Sequence, residues 1–308
     1  MLLEPGDAVT ADETGHLSLT PVAVARTPWR DKFGIPRQAG LVDNEAYIEL
    51  CGPFARDEAI QGLELCSHVW VIFGFHRVPR AMISFGDSPT SEMLGIREGI
   101  AQTRSLKVRP PRLGGNRRIG VFASRSTHRP NGLGLSVVRL IRIEPSKGQS
   151  GPRLRVAGAD WVDGTPIFDI KPYLPWADSI PDATTGFADQ PPIPRLRVRW
   201  WGRSGARVSP AERRAISQAI ALDPRPAYQA GRPSGVRRWF FLCHGDVEVK
   251  FCVINGERRS AFKSHTSDVS EQTIERATKH ASGCGTAWVM GVRSLDPHQV
   301  GGLVGSDS

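Results

Sequence analysis

The segment Val108–Leu135 concentrates the residue types that bind anions. It reads VRPPRLGGNRRIGVFASRSTHRPNGLGL. Guanidinium groups recognise carboxylates and phosphates through paired hydrogen bonds, and glycines let the backbone approach a ligand closely. The segment contains neither G-x-G-x-x-G nor G-x-x-x-x-G-K-[ST], so the predicted anion site is neither a Rossmann dinucleotide site nor a P-loop. The residues that carry this prediction are Arg112, Arg117, Arg118, Arg125, Arg129, Gly114, Gly115, Gly132 and Gly134.

The positive charge of the sequence lies in two blocks. The chain has 40 Lys and Arg residues against 31 Asp and Glu residues, a net charge of +9. Residues 104–142 contain ten basic residues and no acidic one, and residues 195–263 contain fifteen basic residues against five acidic ones. Two basic blocks on an otherwise acidic chain predict a surface for a polyanion such as RNA. Solvated surface arginine is the alternative that charge alone leaves open.

Ser124, Ser126 and His128 raise the hypothesis of a nucleophile with its base. The segment lacks a nucleophile elbow, and no acid can be assigned to orient the histidine. We therefore interpret His128 as a structural or RNA-facing residue.

A second turn-rich cluster, DGTPIFDIKPY, covers residues 163–173. Asp163 either caps the turn or accepts a hydrogen bond from an amine or hydroxyl group of a ligand. Asp163 and Asp169 together also permit a hydrolase hypothesis, although their spacing does not fix the distance between the carboxylates. No set of His, Asp and Glu residues has metal-ligand spacing, so we expect no metal site.

Two shorter polar groups adjoin a turn and a strand. Pro36-Arg37-Gln38 presents a rigid polar edge, because proline fixes its φ angle. His76 and Arg77 follow a buried strand, where polar groups commonly face a ligand at the mouth of a barrel. Alternatively, His76 only ends the strand.

Short strands must position these side chains. Buried or alternating apolar runs between turn residues predict a mainly β domain, an antiparallel or mixed barrel. The helical spacing of Ala55–Glu64 predicts one helix between two strands. The strands are predicted at Leu19–Arg26, Ala46–Cys51, Ser67–Phe75, Arg118–Ala123, Gly134–Glu144, Arg153–Ala159 and Pro166–Ile170.

The composition changes at QPPIP (190–194), which predicts a domain boundary. We expect a barrel domain at 18–190 with an insertion at 80–104, preceded by a flexible extension at 1–17. After the boundary we expect a small α+β domain at 195–263. Its helix begins at the capping sequence Ser209-Pro210-Ala211-Glu212, and its hairpin turns at Gly245-Asp246. The tail 264–308 is of uncertain order, with a helical candidate at 269–281.

The sequence contains no apolar run long enough to cross a membrane. Its first residues are acidic, unlike a signal peptide, and its five cysteines form no C-x-x-C pair. We therefore expect a cytoplasmic protein with no membrane segment.

Taken together, these segments resemble the TrmO (TsaA-like) family of S-adenosylmethionine-dependent tRNA methyltransferases. The resemblance covers about residues 19–263 and implies a compact β-barrel catalytic domain of non-Rossmann type, a smaller C-terminal domain and a homodimer. The sequence departs from the family in its longer segment 80–104 and at Asn131-Gly132. The motifs that carry the resemblance are DKFGIPRQAGL (31–41), GLELCSHVWVIFGFH (62–76), VRPPRLGGNRRIGVFASRSTHRPNGLGLS (108–136), DWVDGTPIFDIKPYLPWADS (160–179) and DPRPAY (223–228).

The resemblance also implies the site residues, carried over motif by motif. The S-adenosylmethionine site comprises Pro36, Arg37, Gln38, His76, Arg77, Arg125, Leu135, Asp163, Gly164, Thr165 and Pro166. We expect tRNA contacts at Arg112, Arg129, Asp223, Arg225 and Tyr228.

The implied reaction is methylation of N6 of N6-threonylcarbamoyladenosine beside the anticodon of threonine tRNA. Because the methyl group passes in line from sulfonium to nitrogen, the enzyme mainly aligns two atoms and excludes water. No catalytic base is identified, and Asp163 and Tyr173 are the candidates. The alternative function is a non-catalytic RNA-binding protein on the same barrel.

Overall fold

The computed structural model describes residues 19–77, 106–148, 151–226, 238–254 and 285–295. They belong to two compact units that interleave along the chain. The first, here called the barrel unit, comprises Met1–Ala25, Tyr47–Arg155 and Gly164–Asp182. The second, here called the sheet unit, comprises Arg26–Ala46, Val156–Asp163 and Ala183–Ser308. The predicted extension 1–17, the insertion 80–104 and the helical candidate 269–281 lie outside the described residues.

Six strands close into a barrel, which confirms the predicted mainly β class. The strands are β1 (Ala23–Arg26), β2 (Glu45–Leu50), β3 (His68–Gly74), β6 (Leu133–Glu144), β7 (Arg153–Ala157) and β8 (Pro166–Pro172). Their order around the barrel is β1-β2-β7-β6-β3-β8. A two-stranded ribbon, β4 (Lys107–Val108) with β5 (Ile119–Gly120), and a short helix α1 (Pro175–Asp178) complete the elements of the barrel unit described here.

The period-two pattern of β3 explains how the barrel fills. Val69, Val71 and Phe73 alternate along the strand and are buried, as the pleat of a strand with one apolar face requires. On β6, which pairs with β3, a Cβ atom at Gly134 would overlap the Phe73 ring. The glycine therefore makes room for the aromatic ring beneath the rim of the barrel.

Two predicted elements of the barrel unit were wrong. Ala55–Glu64 is not a helix, because Gly62 takes a left-handed φ of 93° and divides the segment into short 3-10 turns that bury only Ile60. The strand predicted at Arg118–Ala123 is limited to β5, since Val121–Ala123 forms a 3-10 turn. Both segments lack the sustained alternation that identifies β3.

In the described residues, the main elements of the sheet unit are one four-stranded sheet and one α-helix. Its elements are β9 (Leu196–Trp200), α2 (Pro210–Ala221), β10 (Trp239–His244), β11 (Val247–Ile254) and β12 (Gly285–Ser294), with the sheet order β10-β11-β12-β9. Ile216 and Ile220 of α2 pack in one buried cluster with Trp29, Leu242 and Phe251. The predicted helix, with its capping box of Ser209 and Glu212, and the predicted hairpin are confirmed.

Two strands of this sheet were not predicted. β9 and β12 pair in parallel, with Leu196 opposite Gly285. Such a pairing joins residues that are far apart in the chain, so no local sequence pattern predicts it. None of the helices in the described ranges is long and apolar enough to span a membrane.

Candidate cofactor and tRNA-binding residues

In the barrel unit, the ends of β3 and β8 bring two predicted cofactor residues together. The strands are antiparallel, with Phe73 opposite Ile167, so His76 after β3 lies near Thr165 before β8. The Thr165 hydroxyl group is 3.4 Å from Nδ1 of His76. Thr165 is buried, whereas His76 is exposed. The pair thus joins a fixed hydroxyl group to an imidazole that solvent reaches.

The turn before β8 is fixed by its backbone. Gly164 takes a φ of 79°, which disfavours any residue with a Cβ atom. The Gly164 amide donates to Ala25 at 2.9 Å, and the Thr165 carbonyl accepts from the same residue at 2.9 Å. Pro166 then begins β8, opposite Val24. Three predicted cofactor residues therefore share one rigid turn at the end of β1 and β8.

Asp163 forms two hydrogen bonds within the sheet unit. Its Oδ1 atom accepts a hydrogen bond from the Thr27 amide at 3.0 Å, and its own amide donates to the Trp29 carbonyl at 2.8 Å. These bonds support the turn-capping interpretation. Asp163 is only half-buried, so solvent reaches part of the residue.

Three further predicted cofactor residues are exposed in the barrel unit. Leu135 lies on β6 opposite Ile72 of β3, with its side chain outside while the neighbouring Gly134 and Ser136 are buried. Arg77 follows His76, and Arg125 lies in the loop before β6; both side chains are exposed. They offer an apolar contact and two cations at the surface.

The remaining cofactor candidates, Pro36, Arg37 and Gln38, belong to the sheet unit. Pro36 is buried and Arg37 is exposed, while the Gln38 side-chain amide donates to the Arg37 carbonyl. Partial desolvation lowers the pKa of the Arg37 guanidinium from its ordinary value, and the positive charge of Arg195 lowers it further. The negative charge of Asp223 acts in the opposite direction.

Asp223 and Arg225, two predicted tRNA contacts, form a buried ion pair with each other. Nε of Arg225 lies 2.7 Å from Oδ1 of Asp223, and Nη2 lies 2.8 Å from Oδ2. The side chains are only 7% and 6% exposed. Asp223 follows α2 with a left-handed φ of 55°, a conformation that aspartate tolerates better than most residues. The contact of these residues with tRNA stays a prediction, and Tyr228 lies outside the described residues.

The other two predicted tRNA contacts lie in the arginine-rich loop of the barrel unit. Arg112 is exposed on the 3-10 turn Pro111–Leu113. Arg129 is half-buried, and its Nη1 atom donates to the Ser124 carbonyl at 2.7 Å. Its guanidinium also lies 5.9 Å from the centre of the Phe122 ring. Arg129 therefore stabilises the loop in which it lies.

The two candidate bases occupy different places. Tyr173 donates its amide to the carbonyl of His68, the first residue of β3, at 3.0 Å. His76 follows the other end of β3, on the order of 20 Å away at the usual rise per residue. The structure therefore does not bring Tyr173 to the pair of His76 and Thr165.

Neither the hydrolase hypothesis nor a metal centre gains support from the geometry. Asp169 of β8 lies 3.7 Å from the Lys171 ammonium group and accepts a hydrogen bond from the Ile170 amide at 2.9 Å. Among the residues that the structure describes, no group of three or more His, Cys, Asp and Glu side chains is arranged to hold a metal ion.

Comparison with known proteins assigns the family. Residues 24–179 match the family model for the tRNA-methyltransferase O N-terminal domain. Over 238 residues the chain is 44% identical to a putative S-adenosylmethionine-dependent methyltransferase, RcsF, of Pseudomonas aeruginosa PAO1, covering 74% of this chain and 91% of the relative. The chain belongs to the TrmO family.

Two further comparisons extend the family relationship. Over 221 residues the chain is 38% identical to the tRNA (adenine(37)-N6)-methyltransferase of Escherichia coli K12, covering 70% of this chain and 84% of that one. The crystal structure of TrmO from Pseudomonas aeruginosa superposes with a TM-score of 0.57 at 29% identity, over 92% of this chain and all of the other. The TrmO likeness thus extends beyond the barrel.

Proposed function

We propose that this TrmO-family chain methylates N6 of N6-threonylcarbamoyladenosine beside the anticodon of threonine tRNA. Membership in the family makes the chain an S-adenosylmethionine-dependent tRNA adenine-N6 methyltransferase. The threonylcarbamoyl group and the threonine tRNA are the finer parts of the proposal. The observation that carries it is that the segment matched by the family model, 24–179, contains nearly the whole barrel and the turn where His76 meets Thr165.

The donor set of the predicted cofactor residues fits S-adenosylmethionine. The exposed guanidinium groups of Arg77 and Arg125 suit its carboxylate, and the exposed Leu135 suits the face of its adenine. The half-buried carboxylate of Asp163 suits the positive charge of the sulfonium group of the cofactor. When bound, the cofactor supplies the methyl group that is transferred. We propose that these residues bind it together with His76, Gly164, Thr165 and Pro166. Pro36, Arg37 and Gln38 are proposed as further cofactor-binding residues.

Methyl transfer requires the protein mainly to align the reacting atoms, and acid–base catalysis is a smaller requirement. In-line transfer needs the accepting nitrogen held opposite the sulfur, which rigid elements do best. The turn at Gly164 and Thr165 is rigid because two backbone hydrogen bonds fix it to Ala25. Of the two candidate bases we keep only Asp163, because Tyr173 lies beside His68 at the far end of β3.

Arg112 and Arg129 are proposed as tRNA contacts of the barrel unit. Contact by the DPRPAY segment remains a prediction that its paired residues, Asp223 and Arg225, do not by themselves support. We further propose that the chain acts as a homodimer in the cytoplasm, where its tRNA substrate is found.

The test is methyl transfer to purified tRNA, followed by mass spectrometry of the nucleosides. Threonine tRNA from cells that lack this methyl group is incubated with the full chain and S-adenosylmethionine. We expect N6-threonylcarbamoyladenosine to gain the mass of one methylene group, and no gain on tRNA that lacks the threonylcarbamoyl group. Absence of any gain, with the cofactor bound in calorimetry, would contradict the proposed substrate.

The Arg125→Ala variant sharpens this test. We expect it to weaken S-adenosylmethionine binding in calorimetry while tRNA binding is retained, because Arg125 is assigned to the cofactor. Salt-sensitive tRNA binding by the unaltered chain without any cofactor affinity would instead favour the non-catalytic RNA-binding protein.

A further inference from the structure

Phe122 is an exposed aromatic side chain in a segment otherwise dominated by arginine. It is 75% exposed, whereas the preceding Val121 is buried. Single exposed apolar residues are ordinary features of protein surfaces. Phe122 differs because of what holds it in place and what surrounds it.

The backbone on both sides of Phe122 is anchored. The Val121 amide donates to the Leu106 carbonyl at 2.8 Å, and the Val121 carbonyl accepts from the Ser124 amide at 3.2 Å and the Ser124 hydroxyl group at 2.9 Å. The Ser124 carbonyl accepts from Arg129 at 2.7 Å. These bonds define the 3-10 turn Val121–Ala123 and hold the Phe122 side chain outward. Its exposure is therefore a property of a fixed turn.

The chain segment that contains Phe122 is strongly cationic. Residues 106–132 contain seven Lys and Arg residues and no Asp or Glu residue. The Arg129 guanidinium lies 5.9 Å from the ring centre, and the side chains of Arg112, Arg117 and Arg125 are exposed. An aromatic face among cations is the combination by which proteins hold single-stranded RNA, because bases stack on the ring while the cations attract the phosphates.

We propose that Phe122 is a stacking face for one unpaired base of the anticodon loop of the tRNA substrate. The proposal rests on the proposed function and adds a binding residue that the motif comparison does not assign. The Arg129 guanidinium, which the Ser124 carbonyl holds in position, lies over one face of the ring. A base would therefore stack on the opposite face.

Trp176 of α1 provides the contrast within the same unit. It is 84% exposed, more than Phe122. Its helix ends in Asp178, whose Oδ2 atom accepts hydrogen bonds from the Trp70 indole at 2.8 Å and the Leu174 amide at 2.9 Å. Within residues 172–194 the sequence has three aspartates and no Lys or Arg. An exposed aromatic on an acidic segment does not suit a polyanion, so Trp176→Ala is the matched control for Phe122→Ala.

The test is a double-mutant cycle between the protein and the RNA. The full chain and its Phe122→Ala variant are titrated against an anticodon stem-loop RNA and against versions in which one loop nucleotide at a time lacks its base. We expect Phe122→Ala to raise Kd for the intact RNA about 5- to 150-fold, the range for loss of one stacked base. At one abasic position the difference between the two proteins should vanish, and Trp176→Ala should leave Kd unchanged.

Conservative variants separate stacking from simple apolar contact. Phe122→Trp should retain the affinity for the RNA, whereas Phe122→Leu should lose most of it. Equal affinity of Phe122→Leu and the unaltered chain would overturn the proposal, and so would an effect of Phe122→Ala that persists at every abasic position. A change in oligomeric state in sedimentation on Phe122→Ala would also overturn it, because a second copy of the chain would then cover the ring.

The same experiment distinguishes failure of this inference from failure of the proposed function. If the unaltered chain methylates the tRNA and Phe122→Ala binds it equally well, only the stacking role is wrong. If the unaltered chain neither binds nor methylates the tRNA, both proposals fail together.

Discussion

The arginines of the barrel unit and those of the sheet unit are used in different ways. In the segment that contains Phe122, Arg112, Arg117 and Arg125 lie exposed and no acidic residue occurs, while Arg129 is half-buried. In the sheet unit several contact protein groups: Arg225 pairs with the buried Asp223, and Arg213 lies 5.2 Å from the centre of the Trp200 ring. Arg207 also donates to the Val292 carbonyl at 3.1 Å. Two blocks of equal net charge therefore differ at particular residues: Arg225 is buried in an ion pair, whereas Arg112 and Arg117 are exposed.

The difference shows that net charge locates a polyanion surface only coarsely. The sequence favours the block at 195–263 for plain attraction of tRNA, because the other block also carries the cofactor motif. In the structure, Arg225 of the DPRPAY segment forms an ion pair with Asp223, two residues before it. Substitutions in the two units test this difference, and the largest effect is expected at Arg225.

Arg225→Ala should cause the largest loss of stability. The substitution leaves the Asp223 carboxylate buried without its guanidinium, which typically costs about 3–5 kcal/mol. Denaturant unfolding of the full chain measures the change. The control is Arg214→Ala, whose exposed ion pair with Asp43 at 3.8 Å is worth at most about 1 kcal/mol.

If Arg225→Ala left stability unchanged but weakened tRNA binding, the proposed difference between the arginines of the two units would be wrong. Arg225 would then belong to the RNA surface, as its motif predicts, and not to the interior of the sheet unit.

His244 of the sheet unit should make stability depend on pH. It is buried against Trp29, at a ring distance of 4.9 Å, and burial lowers its pKa to about 4. Below pH 6.5 the unfolded chain takes up a proton that the folded chain does not. The free energy of unfolding should therefore fall as the pH drops from 6.5 towards 4, by up to about 3 kcal/mol, and this contribution should be constant above pH 6.5.

Unfolding measured between pH 4 and pH 7 checks the effect of His244. His244→Phe should remove this part of the slope, and substitution of His128, which is exposed in the barrel unit, should leave it in place. Equal slopes in the His244→Phe variant and the unaltered chain would show that the histidine is not buried in its neutral form.

Arg112→Ala should have the smallest effect, and it should appear in RNA binding alone. An exposed arginine contributes within about 0.5 kcal/mol to stability. Loss of one phosphate contact should weaken tRNA binding and reduce the slope of log Kd against log salt by about one unit. The control is Arg142→Ala, an arginine of the same block that is held by Glu144 at 2.6 Å. Equal effects of the two variants on tRNA binding would show that Arg112 makes no specific contact with the tRNA.

Much of the fold follows from local sequence patterns, and the rest depends on distant partners. The alternation in β3 and the capping box of α2 identify their elements because each pattern is complete within a few residues. β12 lies in a polar, glycine-rich tail, and its parallel pairing with β9 is a contact that no local pattern contains. The helix predicted at Ala55–Glu64 fails because the conformation of Gly62 outweighs the spacing of four apolar residues.

The candidate site shows the same division. Motifs identify which residues matter, such as His76 and Thr165, and the structure adds their 3.4 Å approach. The burial of Arg225 and the exposure of Phe122 are not properties of residue type, since arginine is usually exposed and phenylalanine usually buried. Only the structure around these two residues shows that Arg225 is buried and Phe122 is exposed.

The central claim is that tRNA covers the arginines around Phe122 while Arg225 stays inside the fold. Modification of arginine by phenylglyoxal, mapped by mass spectrometry with and without tRNA, tests it directly. We expect Arg112 and Arg117 to react in the free chain and to be protected by tRNA, and Arg225 to react in neither sample. Reaction of Arg225 in the free chain with protection by tRNA, while Arg112 and Arg117 remain equally reactive in both, would contradict the claim.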